Sequence, residues 1–158
     1  MPSNCDKEDC PADIGLGSCL CTQDKLESPI FQQWARRLGE PEEQLHRKIW
    51  EWCYISQALQ ERQLLEPGRR GVGFAVGEEP LSDLFASLGC EITATDLDTK
   101  AAADAGWVNS GQHASHLGML NTRNLCDPVG FQDRVSFRHV DMNDIPDDLS
   151  GIYDFVWS

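Results

Sequence analysis

Positive charge is scarce in this sequence: 13 Lys and Arg residues stand against 26 Asp and Glu, for a formal net charge of -13. A chain so acidic is repelled by phosphate backbones and anionic lipid, which makes nucleic acid a poor partner. Long apolar runs are missing too. None approaches the roughly 18 residues that a helix needs to span a bilayer, so no membrane partner is expected. The opening residues, MPSNCDKEDCPADIG, lack the basic start and apolar core of a secretory signal, which points to the cytoplasm. Internal repeats and paired CxxC knuckles are also absent. The cysteines number seven, an odd set that reads as free thiols in a chain without a signal. Cys5, Cys10, Cys19 and Cys21 have a spacing that four-thiolate zinc can accept in principle. Without the knuckles, the stretch 1–27 is expected to be a loosely ordered arm instead, and no metal is assigned.

What is present suits one globular domain. The chain has 158 residues, 41% hydrophobic and 25% charged. The stretch 28–39 (SPIFQQWARRLG) has Ser28 as an N-cap, Pro29 in the first turn and Gly39 as a stop, which predicts a helix. After Pro41 a second, longer helix is predicted. Leu45, Ile49, Trp52, Ser56 and Leu59 recur at helical spacing, and Glu66-Pro67-Gly68 ends it near Leu65. His46 lies beside that stripe and is read as surface or packing. The stretch 28–66 is thus a helical extension, and the character of the chain changes at 67.

From there strands and helices alternate. The stretch 70–77 (RGVGFAVG) reads as a buried strand entering a glycine-rich turn. The stretch 80–89 (PLSDLFASLG) reads as a helix, 90–97 (CEITATDL) as a second strand, and 99–106 as a short alanine-rich helix. The stretch 107–133 is ambiguous, with one further helix expected around 117–125. A third strand is predicted at 134–140 (RVSFRHV) and a fourth at 153–157 (YDFVW). This alternation predicts an α/β domain over 67–158, with a doubly wound parallel sheet.

Three features fall at the carboxyl ends of consecutive predicted strands, where open parallel sheets bind ligands. Gly71, Gly73 and Gly77 lack the Cβ that keeps a ligand off the main chain, although glycines also end strands for structural reasons alone. Asp96 ends the second strand about 20 residues after the glycine turn, where a carboxylate can accept both hydroxyls of a ribose. Its plainer role is to cap the next helix, but Asp98 is available for that. Asp141 follows the third strand, placed to accept a bond from an adenine amino group while Met142 packs on the ring; alternatively, 141–147 is simply a polar loop.

Together, the runs GRRGVGFAVGEEPLSDLFASLGCEITATDLD, VSFRHVDMNDIP and YDFVWS resemble the successive motifs of class I S-adenosylmethionine-dependent methyltransferases. The run HRKIWEWCYISQALQERQLLEPGRRGVGFAVGEEPL resembles a bacterial-type subgroup of that superfamily whose substrates are poorly defined. The likeness covers roughly 28–158 and implies a Rossmann-like fold, S-adenosylmethionine as cofactor and methyl transfer as the activity. By resemblance, Gly73 and Gly77 are the outer glycines of the loop beneath the methionine part of the cofactor. Asp96 is the ribose acid, Leu97 packs near the adenine, and Asp141 and Met142 lie beside its ring. The sequence departs from the family at two places in the loop. Gly71 stands where an acid is usual, and Ala75 stands where the middle glycine is usual. Glu78 or Glu79 is then the expected substitute for the missing acid.

The family's sheet has seven strands. The resemblance therefore also implies a C-terminally incomplete fold, with self-association through an unfinished sheet. The acceptor is expected to be a small molecule or saccharide. No catalytic base is assigned, and His113 and His116 read as loop residues. Two other functions share these features: an NAD-type oxidoreductase, and a non-catalytic module that keeps a relic cofactor site.

Overall fold

The structure, a computed structural model, describes residues 20–41, 46–109 and 112–158. Most of the expected N-terminal arm, with Cys5, Cys10 and Cys19, lies outside the described residues, as does Leu45. Among the described residues, no helix is long and apolar enough to cross a membrane, and no His, Cys, Asp and Glu side chains gather to hold a metal.

A short helix, α1 (Gln23–Leu26), leads into α2 (Pro29–Arg37). Ser28 caps α2 by accepting the Phe31 N–H at 3.3 Å, and Gly39 closes it at φ +73°. Helix α3 (Arg47–Glu61) begins at His46, whose Nδ1 accepts the Lys48 N–H. It stops four residues short of the expected Leu65, because the chain turns through Gln63 at φ +57°. Ile49, Cys53 and Ser56 form its buried stripe.

The rest is α/β with an all-parallel sheet. Strand β1 (Arg70–Gly73) leads through α4 (Leu81–Ser87) to β2 (Glu91–Asp96). After β2 come α5 (Thr99–Asp104), α6 (Pro128–Arg134) and β3 (Val135–His139), and β4 (Phe155–Trp157) follows. The strand order is β3-β2-β1-β4. The expected helix around 117–125 is a correction. Only one 3-10 turn forms there, at Leu117–Leu120, and the chain is broken by Asn124 at φ +52°. The helix lies further on, as α6, where Asp127 accepts the Gly130 N–H and Pro128 occupies the first turn.

Register explains the first two glycines. Gly71 pairs with Phe155 on one side and Ile92 on the other, and Gly73 pairs with Trp157 and Ala94. The Phe155 and Trp157 rings spread over β1, and Phe85 of α4 meets both edge-on at 5.7 and 5.3 Å. A Cβ on Gly71 would run into the Phe155 ring, and one on Gly73 into the Trp157 ring. Both positions are glycine because aromatic rings fill the space. Fully burying a side chain such as Phe85 contributes about 1.5–3 kcal/mol, so this aromatic layer is a main prop of the core. The core continues through Phe31, Trp34 and Leu38 of the helical extension into Ile92 and Phe131. On the opposite face the connection 140–154 crosses from β3 to β4. It is pinned by Tyr153 donating to Thr93 Oγ1 at 2.9 Å and by the Arg138–Asp148 ion pair.

Cys53, Cys90 and Cys126 are buried and carry free thiols. Burial pushes the Cys53 thiol up to about 12 and the Cys90 thiol up to about 11, which keeps both protonated and unreactive at neutral pH.

Candidate functional site

The carboxyl ends of β1, β2 and β3 surround a cleft of about 370 Å³. The turn 74–77 after β1 shapes one wall. Phe74 N–H donates to the Trp157 carbonyl, Val76 N–H to the Thr95 carbonyl, and Thr95 Oγ1 to the Gly73 carbonyl. Ala75 is left at φ +50° and Gly77 at φ +54°. Gly77 has a clear reason to be glycine, since a Cβ there would meet the Gln112 carbonyl oxygen at 2.6 Å. Ala75 has no such need, and its methyl makes the left-handed backbone costly. We expect Ala75→Gly to stabilise the fold by up to about 1 kcal/mol, since the relief of strain outweighs the added chain entropy. A rise in the urea midpoint checks this.

Asp96 closes the bottom of the cleft and is only 5% exposed. Its Oδ2 accepts the Gly77 N–H at 2.9 Å and the Ala114 N–H at 3.1 Å, and its Oδ1 accepts the Leu97 N–H at 2.8 Å. One carboxylate thus fastens the glycine turn and the segment 112–115 to the end of β2. Asp98 is the helix cap, accepting the N–H groups of Lys100 and Ala101. Two imidazoles hold the next residue: His113 Nε2 and His139 Nδ1 lie 2.8 and 3.1 Å from the Leu97 carbonyl. His113 is therefore a buried fastener, and His116 caps the 3-10 turn through Nδ1.

The far wall comes from the turn after β3. Asp141 Oδ1 accepts both the main-chain and side-chain N–H of Asn143, at 2.8 and 2.9 Å. The Asn143 N–H foremost holds this carboxyl below the usual carboxylate range, so it stays ionised, and among the described residues no hydrogen bond falls on its Oδ2. Met142 beside it is half exposed.

No family model, curated protein or solved structure matches this chain.

Of the residues singled out from sequence, Ala75, Asp96, Leu97, Asp141 and Met142 line this one cleft. Gly71 and Gly73 do not line it; they lie within β1 under the aromatic rings. Gly77 borders a second hollow, of about 500 Å³, reached past Ala75 and Gln112, which line both. His46, Lys48, Trp52, Glu78 and Glu79 also face that hollow. Lys48 pairs there with Glu79 at 2.7 Å and Glu51 at 3.4 Å. Burial lowers the Lys48 ammonium, but the two carboxylates outweigh it and hold it above the ordinary lysine range. Glu79 is thus engaged with Lys48, while Glu78 is exposed at the rim. Trp107, Gln112, Val140 and Asn143 complete the first cleft, and sequence reading missed all four. Trp107 and Gln112 lie in the stretch without periodicity, where the only local signal is the Gly106 helix stop before the indole.

Proposed function

We propose that this chain is an S-adenosylmethionine-dependent methyltransferase. One observation carries the reading: Ala75, Asp96, Leu97, Asp141 and Met142, assigned from sequence to three separate strand ends, meet in one cleft. Under it, the all-parallel sheet of order β3-β2-β1-β4 is compatible with a Rossmann-like, doubly wound fold, which supports the reading.

The residues present suit the cofactor. The cleft combines apolar walls from Leu97, Val140 and Met142 with polar atoms from Asp96, Gln112, Asp141 and Asn143. Asp96 has a narrower part than its sequence position suggests. With two donors on Oδ2 and one on Oδ1, it has room at Oδ1 for one ribose hydroxyl, not both. The outer oxygen of Asp141, Oδ2, suits the adenine amino group. Glu78 rather than Glu79 is the candidate for the cofactor's amino group, because Glu79 already neutralises Lys48.

When bound, the cofactor supplies an electrophilic methyl group on a sulfonium. The chain's own residues would bind the adenosine end and exclude water with the apolar walls, and the second hollow, which shares Ala75 and Gln112 with the cleft, would receive the reacting end. That hollow is the place for a small-molecule or saccharide-type acceptor.

Calorimetric titration with S-adenosylmethionine, with NAD in parallel, tests the reading. We expect micromolar binding of S-adenosylmethionine alone, weakened about tenfold in Asp141→Ala by loss of one hydrogen bond to a charged group. Asp141 is exposed, so the melting temperature of this variant should stay near that of the wild type. Binding of NAD instead would move the chain to the oxidoreductases, and binding of neither would overturn the proposal.

A further inference from the structure

We propose that Trp107 is the outer wall of the base pocket, and that it selects a planar purine nucleoside by stacking. This inference rests on the reading of the cleft as a nucleoside-cofactor site.

Trp107 is the most exposed of the five tryptophans, at 49%, while Trp34 and Trp157 are almost fully buried. A large aromatic side chain left half in water needs a reason, since tryptophan is normally among the most buried residues on average. Its place supplies one: the ring lines the cleft that also holds Leu97 and Met142. Trp107 comes from the turn after α5 and Met142 from the turn after β3, and Met142 is also half exposed, at 50%. Two apolar side chains from separate connections thus line one cleft together with the polar side chains of Asp96, Gln112 and Asn143. That arrangement matches a flat heteroaromatic ring, with apolar faces and a hydrogen-bonding edge.

The indole is also presented from an anchored backbone. The Trp107 N–H donates to the Ala102 carbonyl at 2.9 Å, and its carbonyl accepts the Gln112 N–H at 3.4 Å. Ala102 is fully buried, and Gln112 stands against the glycine turn through Gly77. The backbone that carries the wall is therefore set before the ligand arrives, which reduces the ordering cost of binding.

The test titrates the wild type, Trp107→Ala and Trp107→Phe with S-adenosylmethionine and with adenosine, by calorimetry and tryptophan emission. Either ligand should quench the wild-type emission, and the quench should vanish in Trp107→Phe while affinity stays within about threefold, because phenylalanine still stacks. Trp107→Ala should weaken both ligands about tenfold or more, the scale seen when a stacking aromatic is truncated. Far-UV circular dichroism should be unchanged, since the ring is half exposed. Unchanged affinity in Trp107→Ala, or a quench that persists in Trp107→Phe, would overturn this role while leaving the cofactor reading intact. Loss for S-adenosylmethionine but not for adenosine would also overturn it, because the ring would then touch another part of the cofactor. If the wild type binds neither ligand, the cofactor reading falls and the wall falls with it.

Discussion

Replacing Asp83 with alanine should destabilise the fold by about 3–4 kcal/mol, the largest effect expected of any single polar substitution here. Asp83 lies on α4 and is fully buried. Its Oδ2 accepts the Leu125 N–H at 3.0 Å and its Oδ1 the Cys126 N–H at 2.8 Å. With its amide nitrogen turned toward the carboxylate, Asn121 donates to both oxygens, at 2.9 and 3.0 Å. Burial raises this carboxyl above its ordinary range, against the pull of the two main-chain donors and Arg123. Removing the carboxylate strands all of these donors where water does not reach them. It also loosens the connection before α6, leaving Arg123, bonded to the Leu38 carbonyl and Glu40, to hold it. Urea denaturation of Asp83→Ala and wild type checks the prediction. A loss below about 1 kcal/mol would mean that water or a shifted side chain satisfies those donors.

Asp96→Asn should cost about 2–4 kcal/mol of stability and also abolish the proposed binding of S-adenosylmethionine. The substitution keeps the size and shape of the side chain but turns one acceptor oxygen into a donor. In one orientation the new NH₂ faces the N–H groups of Gly77 and Ala114; in the other it faces that of Leu97. Either way a donor meets a donor in a buried place. The glycine turn and the segment 112–115 lose their common anchor, and the cleft loses two of its walls. The comparison with Asp141→Ala is what gives this prediction force. Asp141 is exposed and should affect binding alone, whereas Asp96 should affect binding and melting temperature together. Asp96→Asn with an unchanged melting temperature would contradict the clamp.

Much of this architecture is legible in the sequence, and the rest is hidden for identifiable reasons. Ser28-Pro29, Gly39 and the short apolar runs mark α2, β1, β2 and β3, because caps, glycine stops and strand-like runs are local signals. The positions of Asp96, Leu97, Asp141 and Met142 follow from the strand ends, since a parallel sheet brings successive carboxyl ends to one side. Gly71 and Gly73 invite a ligand reading for a local reason, yet Phe155 and Trp157 account for them from a strand far along the chain. The stretch 107–133 resists reading because it has little periodicity of its own. Its course depends on two buried carboxylates on earlier elements, Asp83 on α4 and Asp96 on β2. Nothing in the sequence distinguishes Asp83 from a surface aspartate in the first turn of a helix. Trp107 and Gln112 join the cleft only because that stretch folds back across Gly77.

The central claim is that S-adenosylmethionine binds between the ends of β1, β2 and β3. The most direct test follows the amide resonances of the isotopically labelled chain as S-adenosylmethionine is added. The account predicts shifts at Ala75, Leu97, Gln112, Asp141, Met142 and Asn143, with Glu91 and Gln132, at the opposite end of the sheet, unmoved. No shifts, or shifts centred on Glu91 and Gln132, would contradict it.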